Sequence, residues 1–76
     1  MASWEDKITV RQSYLAMYEF LKQHYERCPT DAIGGLLGDL SLLQDGSSAD
    51  PAVDYEFLAA TQLVIEGKSD AKLHFK

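Results

Sequence analysis

The sequence predicts an all-α protein, a small three-helix domain with a short C-terminal arm. Apolar residues recur at spacings of three and four in three separate segments, and this is the period of an amphipathic helix. Each segment follows a residue type that commonly caps helix N-termini, and no segment shows a strong alternating pattern. The 76 residues suffice for one domain, residues 1–76, with helices near 9–27, 31–43 and 51–66.

The first predicted helix begins after Thr9, which opens a T-x-x-Q capping box. Pro29 ends the helix near Cys28. The apolar stripe between them consists of Val10, Tyr14, Met17, Leu21, His24 and Cys28. We expect His24 and Cys28 to pack at the end of this stripe rather than to form a catalytic thiol–imidazole pair, because no third orienting residue is evident.

The second predicted helix starts at Thr30 or Asp31, either of which can cap it. Its apolar positions are Ile33, Leu36, Leu37, Leu40 and Leu43. It also contains Gly34, Gly35 and Gly38, and each glycine costs a helix about 1 kcal/mol relative to alanine. Gly34 and Gly38 lie four apart, on one face, where they allow another backbone to approach closely. We expect packing against another helix of this chain; the alternative is a flat strip for a partner.

The third predicted helix follows a turn-rich loop, residues 44–49. Asp50 is its predicted N-cap and Pro51 its first residue, where no N–H is needed. Its inner stripe is predicted to contain Val53, Phe57, Ala60, Thr61, Val64 and Ile65, with Leu58 adding to it. Gly67 ends the helix. Residues 68–76 alternate at Leu73 and Phe75, which favours a short strand or an extended arm.

Several classes of function are excluded by what the sequence lacks. A single cysteine rules out an internal disulfide framework, and one thiol with two scattered histidines does not make a zinc site. No apolar run approaches a membrane span and no leader is evident, so we expect a soluble cytoplasmic protein. No catalytic or phosphate-binding motif is present. We therefore expect no enzyme activity, no cofactor and no metal.

Acidic residues concentrate in the middle of the chain. The whole chain has a net charge of -5. Residues 31–66 contain no lysine or arginine, and this surface would repel nucleic acid but attract a basic protein. The acids in this range are Asp31, Asp39, Asp45, Asp50, Asp54, Glu56 and Glu66. We predict that Asp39, Asp45, Asp54 and Glu56 contact a partner, with Tyr55 as an aromatic anchor, and that Asp31 and Asp50 are caps. The alternative is a surface that only keeps the protein soluble.

The middle of the chain resembles a group of small bacterial proteins. The pattern comprises Asp31, Ile33-Gly34-Gly35-Leu36-Leu37-Gly38, Ser41-Leu42-Leu43, Asp45-Gly46 and Asp50-Pro51-Ala52, after an aromatic-rich first helix. Such proteins are grouped with the immunity proteins of contact-dependent inhibition and related polymorphic toxin systems. The group has tryptophans after Asp50-Pro51-Ala52, whereas this chain has Asp54 and Phe57 in that stretch.

The resemblance implies an immunity protein that neutralises a toxin by stoichiometric binding. Such a protein needs complementary charge and no active site, and a basic toxin domain is the expected partner. The alternative interpretation is a small regulatory or adaptor protein, or a homodimer subunit, of a larger cytoplasmic complex. Such a protein would bury the flat strip at Gly34 and Gly38, or an exposed helix face, against its partner.

Overall fold

The computed structural model describes residues 1–69, and this part of the chain forms three α-helices without a strand. They are α1 (Val10–Arg27), α2 (Asp31–Leu40) and α3 (Pro51–Ile65). The prediction of a small all-α domain is confirmed. Most of the predicted C-terminal arm, from residue 70 onward, lies outside the described residues.

The helix ends follow from local hydrogen bonds. The Thr9 hydroxyl accepts from the backbone N–H of Gln12 at 3.0 Å, and the Gln12 side chain accepts from the Thr9 N–H at 2.9 Å, which completes the capping box. Thr30, rather than Asp31, caps α2, and Asp50 caps α3 by accepting from the N–H of Ala52 at 3.1 Å. Each helix therefore starts where its capping residue predicts.

Helix α2 ends three residues earlier than predicted, at Leu40. Ser41 takes an extended conformation (φ -62°, ψ 146°), and residues 41–49 form a small hairpin-like loop with a bridge between Leu42 and Ser48. The loop turns at Gly46, whose φ of 87° suits glycine. Leu43, predicted as the last apolar position of the helix, is exposed in this loop. The chain reverses before α3 because of this turn.

The core surrounds Tyr14, which is only 2% exposed. Its hydroxyl donates to the carbonyl oxygen of Leu40 at 2.7 Å, and its ring meets that of Phe57 edge to face, with centroids 5.0 Å apart. Leu40 and Val53 are buried in the same cluster. Tyr14 thus joins α1 to the end of α2 and to the first half of α3.

The three glycines of α2 have different surroundings. A Cβ atom on Gly34 would lie 3.1 Å from the ring of Tyr25, so this glycine allows α1 and α2 to pack closely. Nothing lies within 4 Å of such an atom on Gly35 or Gly38. The expectation of close packing inside the chain therefore holds at Gly34 and is wrong at Gly38, which lies on the outward side of α2.

Two apolar stripes are shorter than predicted. His24 and Cys28 are exposed, because the packed face of α1 ends with Leu21 and Tyr25. In α3 the stripe is packed at Val53, Phe57 and Thr61, whereas Ala60, Val64 and Ile65 are exposed. The second half of α3 extends beyond its contacts with the other described helices. Its apolar residues therefore remain at the surface.

Replacing Tyr14 with phenylalanine tests the central hydrogen bond. The variant keeps the ring but leaves the buried Leu40 carbonyl without its donor, so the free energy of unfolding should fall by roughly 1–3 kcal/mol. Tyr55→Phe is the control, because Tyr55 is 77% exposed, and it should change the value by less than about 0.5 kcal/mol. Urea denaturation of both variants measures the difference. Equal stabilities would contradict a structural role for this bond.

The glycines can be tested as a pair. Gly34→Leu should destabilise the protein by roughly 1–3 kcal/mol, because the added atoms meet the Tyr25 ring. Gly38→Leu adds atoms to open space and removes a helix-interior glycine, so it should stabilise the protein by up to about 1 kcal/mol. Thermal melts followed by circular dichroism compare the two. Destabilisation by Gly38→Leu would show that a neighbour covers this position.

Candidate functional site

A groove opens where the three helices meet, with a volume of about 440 Å³. This volume falls within the range of roughly 300–1,000 Å³ typical of ligand pockets. Its lining combines an apolar floor with acidic side chains. The apolar residues are Met17 and Leu21 of α1, Leu36 and Leu40 of α2, and Val53, Phe57 and Ala60 of α3; the acidic ones are Asp39, Asp50 and Glu56. We call this site the three-helix groove.

The carboxylates of the three-helix groove come from two of its walls. Asp39 lies on α2 and Glu56 on α3, each next in sequence to an apolar residue of the floor. Both are exposed, and neither forms an ion pair or a side-chain hydrogen bond with another described residue. Asp50 is the N-cap of α3, and one of its carboxylate oxygens accepts a hydrogen bond from the N–H of Ala52. Among the described residues, no lysine or arginine lines this groove, so the formal charge of its lining is negative.

Asp54, which was predicted to contact a partner, has a structural role on another face of α3. Its Oδ1 atom accepts from the hydroxyl of Ser48 at 2.6 Å and from the guanidinium of Arg11 at 3.4 Å. Ser48 is buried, and the Arg11 guanidinium lies 5.2 Å from the centre of the Tyr14 ring. Asp54 therefore connects α3 to α1 and to the loop before it, and its charge is opposed by that of Arg11.

A second, smaller cavity of about 220 Å³ lies beside this ion pair. It is lined by Val10, Arg11, Tyr14, Asp54, Phe57 and Leu58. One cation and one anion share its wall at 3.4 Å, so the cavity carries little net charge. The ion pair beside it connects α1 to α3.

The two other predicted contact residues lie outside the three-helix groove. Asp45 sits in the exposed loop, where its carboxylate accepts from the N–H and the hydroxyl of Ser47 at 2.9 and 2.6 Å. These hydrogen bonds lower the pKa of Asp45, and the bond from the Ser47 hydroxyl has the largest effect. Tyr55 lies on α3 and is 77% exposed. The structure thus brings together Asp39 and Glu56 of the predicted set, and separates Asp45, Asp54 and Tyr55 from them.

The groove contains residues that the sequence reasoning did not assign to a site. Asp50 was predicted only as a cap, and Leu36 and Phe57 only as packed positions of their own helices. Leu36 is instead 41% exposed and Phe57 is half-buried. The sequence gives only a weak signal that these residues line a groove. The signal is that the apolar faces of α2 and α3 are both broader than a small core can cover.

No protein-family model matches the chain, and neither a curated protein nor a solved structure matches it significantly. Within residues 1–69, no group of three or more histidine, cysteine, aspartate or glutamate side chains is placed to hold a metal ion. Nor does any helix in this part of the chain have the length and apolar character needed to cross a bilayer.

The loop carboxylate gives a pH prediction. Because folding lowers the pKa of Asp45, its ionised form favours the folded loop above the ordinary carboxyl pKa, and this contribution is lost as the pH falls through the lowered value. Ser47→Ala removes the hydroxyl donor and should raise the pKa of Asp45 toward its ordinary value. An NMR titration of the aspartate carboxyl carbons measures the shift. An unchanged pKa in the variant would show that the hydroxyl does not hold the carboxylate.

Proposed function

We propose that this chain is a small acidic binding protein. It binds a basic protein partner in the three-helix groove and acts by stoichiometric binding, without catalysis. One observation carries the proposal. An apolar floor is bordered by Asp39, Asp50 and Glu56, with no basic residue in its lining. A surface of this kind complements a partner that presents apolar side chains among lysines or arginines.

The two parts of the groove would contribute differently to binding. Burying the apolar floor provides the larger share of the affinity, since desolvated apolar contacts near the centre of an interface dominate its binding energy. The carboxylates lie at the edge, where they contribute mainly to the association rate and to the rejection of acidic partners. This effect weakens as salt increases, because the Debye length falls to about 8 Å at 0.15 M.

The more specific proposal is an immunity protein that neutralises a cognate bacterial toxin. It rests on the resemblance of roughly residues 9–57 to small bacterial immunity-type proteins and on the acidic groove. Many toxins that act on nucleic acids are basic around their active sites. Carboxylates that cover such a site would take the place of the phosphate backbone, and charge attraction would make capture fast.

The alternative is an adaptor or homodimer subunit, and a different surface favours it. Tyr55, Leu58 and Ile65 are all more than half exposed and follow one another on α3 at spacings of three and seven. The carboxylate beside them, Asp54, is paired with Arg11, so two copies could meet on this face through apolar side chains. Light scattering after size-exclusion chromatography decides this: a dimer that Leu58→Lys converts to a monomer would support the alternative.

Capture from the native host tests the proposed function. Tagged wild-type protein should retain one basic protein in stoichiometric amount, and Asp39→Asn with Glu56→Gln should slow its association by an order of magnitude at low salt. Stability should hardly change, because neither carboxylate has a described partner. The measurement is surface-plasmon kinetics with the captured protein across a salt series.

Glu5→Gln with Glu26→Gln is the matched control. It removes the same charge from exposed positions outside the groove, and it should leave most of the association rate intact. If the control and the groove variant slow association equally, the acidic surface acts only through its total charge. If no basic protein is retained in stoichiometric amount, the proposed function is wrong.

A further inference from the structure

We infer that the group that enters the three-helix groove is an amphipathic α-helix of the partner, with basic residues on both sides of its apolar stripe. This inference rests on the proposed function and specifies its ligand. It follows from three features of the groove: the hydrogen bonding of its walls, the spacing of its apolar residues and the position of its carboxylates.

Most backbone groups in the walls of the groove are already paired. Within the helices, the N–H and C=O groups bond to one another. At the end of α2, the carbonyl oxygens of Leu37 and Gly38 accept from Ser41, and that of Leu40 accepts from Tyr14. In residues 1–69 the backbone bridge between Leu42 and Ser48 lies in the loop, and neither residue lines the groove. An extended segment would leave its own N–H and C=O groups unpaired against an apolar floor, and each buried unpaired group opposes binding. A helix arrives with these groups already paired.

The floor has the spacing that a packed helix requires. Met17 and Leu21 are four apart on α1, Leu36 and Leu40 are four apart on α2, and Val53, Phe57 and Ala60 follow at four and three on α3. Side chains at these spacings form ridges that receive the apolar stripe of another helix. The bound helix would therefore be a fourth helix that covers the open side of the three.

The carboxylates determine the charge pattern of that helix. Asp39 projects from the α2 wall and Glu56 from the α3 wall, whereas the α1 wall contributes only Met17 and Leu21. Because the acids stand on two walls, a stripe lying between them needs lysine or arginine on both flanks. A helix with acidic flanks would be repelled, since like charges at an interface oppose binding.

Two synthetic peptides of identical leucine and lysine composition test the inference on the full chain. In one, the leucines recur at spacings of three and four; in the other, leucine and lysine alternate. The helical peptide should bind at least tenfold more tightly by isothermal titration calorimetry, and its amide shift changes should map to the groove. Equal affinity of the alternating isomer, or no binding of the helical peptide, would overturn the inference.

Variants locate the bound peptide. Leu36→Ser should weaken binding of the helical peptide about tenfold, whereas Leu63→Ser should change it less than about twofold. The two leucines are matched, because both are helical and they are 41% and 48% exposed, but Leu63 lies outside the groove. Asp39→Asn with Glu56→Gln should weaken binding more than Glu5→Gln with Glu26→Gln. Equal effects within either pair would contradict binding in the groove.

The peptide result is distinguishable from a failure of the proposed function. If the captured basic protein still depends on Asp39 and Glu56 while the helical peptide does not bind, the groove binds a basic protein that does not present a helix. In that case the inference fails and the proposed function stands. If the helical peptide binds in the groove, with the variant effects described, the inference is supported.

Discussion

The fold depends on the burial of one side chain, Tyr14. Its hydroxyl satisfies the Leu40 carbonyl, one of the last four in α2, which lack a partner within their own helix. Its ring meets that of Phe57 of α3 edge to face. The Arg11 guanidinium, which is paired to Asp54 of α3, lies 5.2 Å from the centre of the Tyr14 ring. The end of α2 and the start of α3 are therefore both positioned from α1.

The small core explains why a groove remains beside it. Among the described residues only Tyr14, Leu37, Leu40 and Val53 are buried apolar side chains. A chain of this size buries about 60% of its unfolded surface, so its three helices cannot cover all the apolar faces that they carry. In the three-helix groove, Leu36 is exposed and Met17, Leu21 and Phe57 are half-buried, so a ligand that buries them would stabilise the fold by mass action.

The elements of the fold could be predicted because their signals are local. Thr9 and Asp50 cap their helices through atoms two or three residues away, and Pro29 and Gly67 mark helix ends through their own backbone preferences. The end of the predicted inner stripe of α3, at Val64 and Ile65, is exposed in the structure, because this signal is not local. Apolar spacing shows which residues share a face, but not how far along the helix a neighbour extends, and the neighbours of α3 end near Thr61.

The site was predictable only in part. Charge segregation along the chain pointed to Asp39 and Glu56, which the structure places on one groove. The same reasoning could not separate them from Asp54, because the sequence does not reveal that Ser48 and Arg11 converge on that carboxylate. The groove itself depends on the crossing of three helices, and no spacing within one helix contains that information.

The acids of residues 31–66 divide by what each one does. Five have a structural role: Asp31 lies in the first turn of α2, Asp45 holds the loop, Asp50 caps α3, Asp54 connects α3 to α1, and Glu66 pairs with Lys68 at 3.5 Å. Two have no described partner, Asp39 and Glu56. Both line one apolar groove, Asp39 from α2 and Glu56 from α3, where their charge acts on whatever enters it.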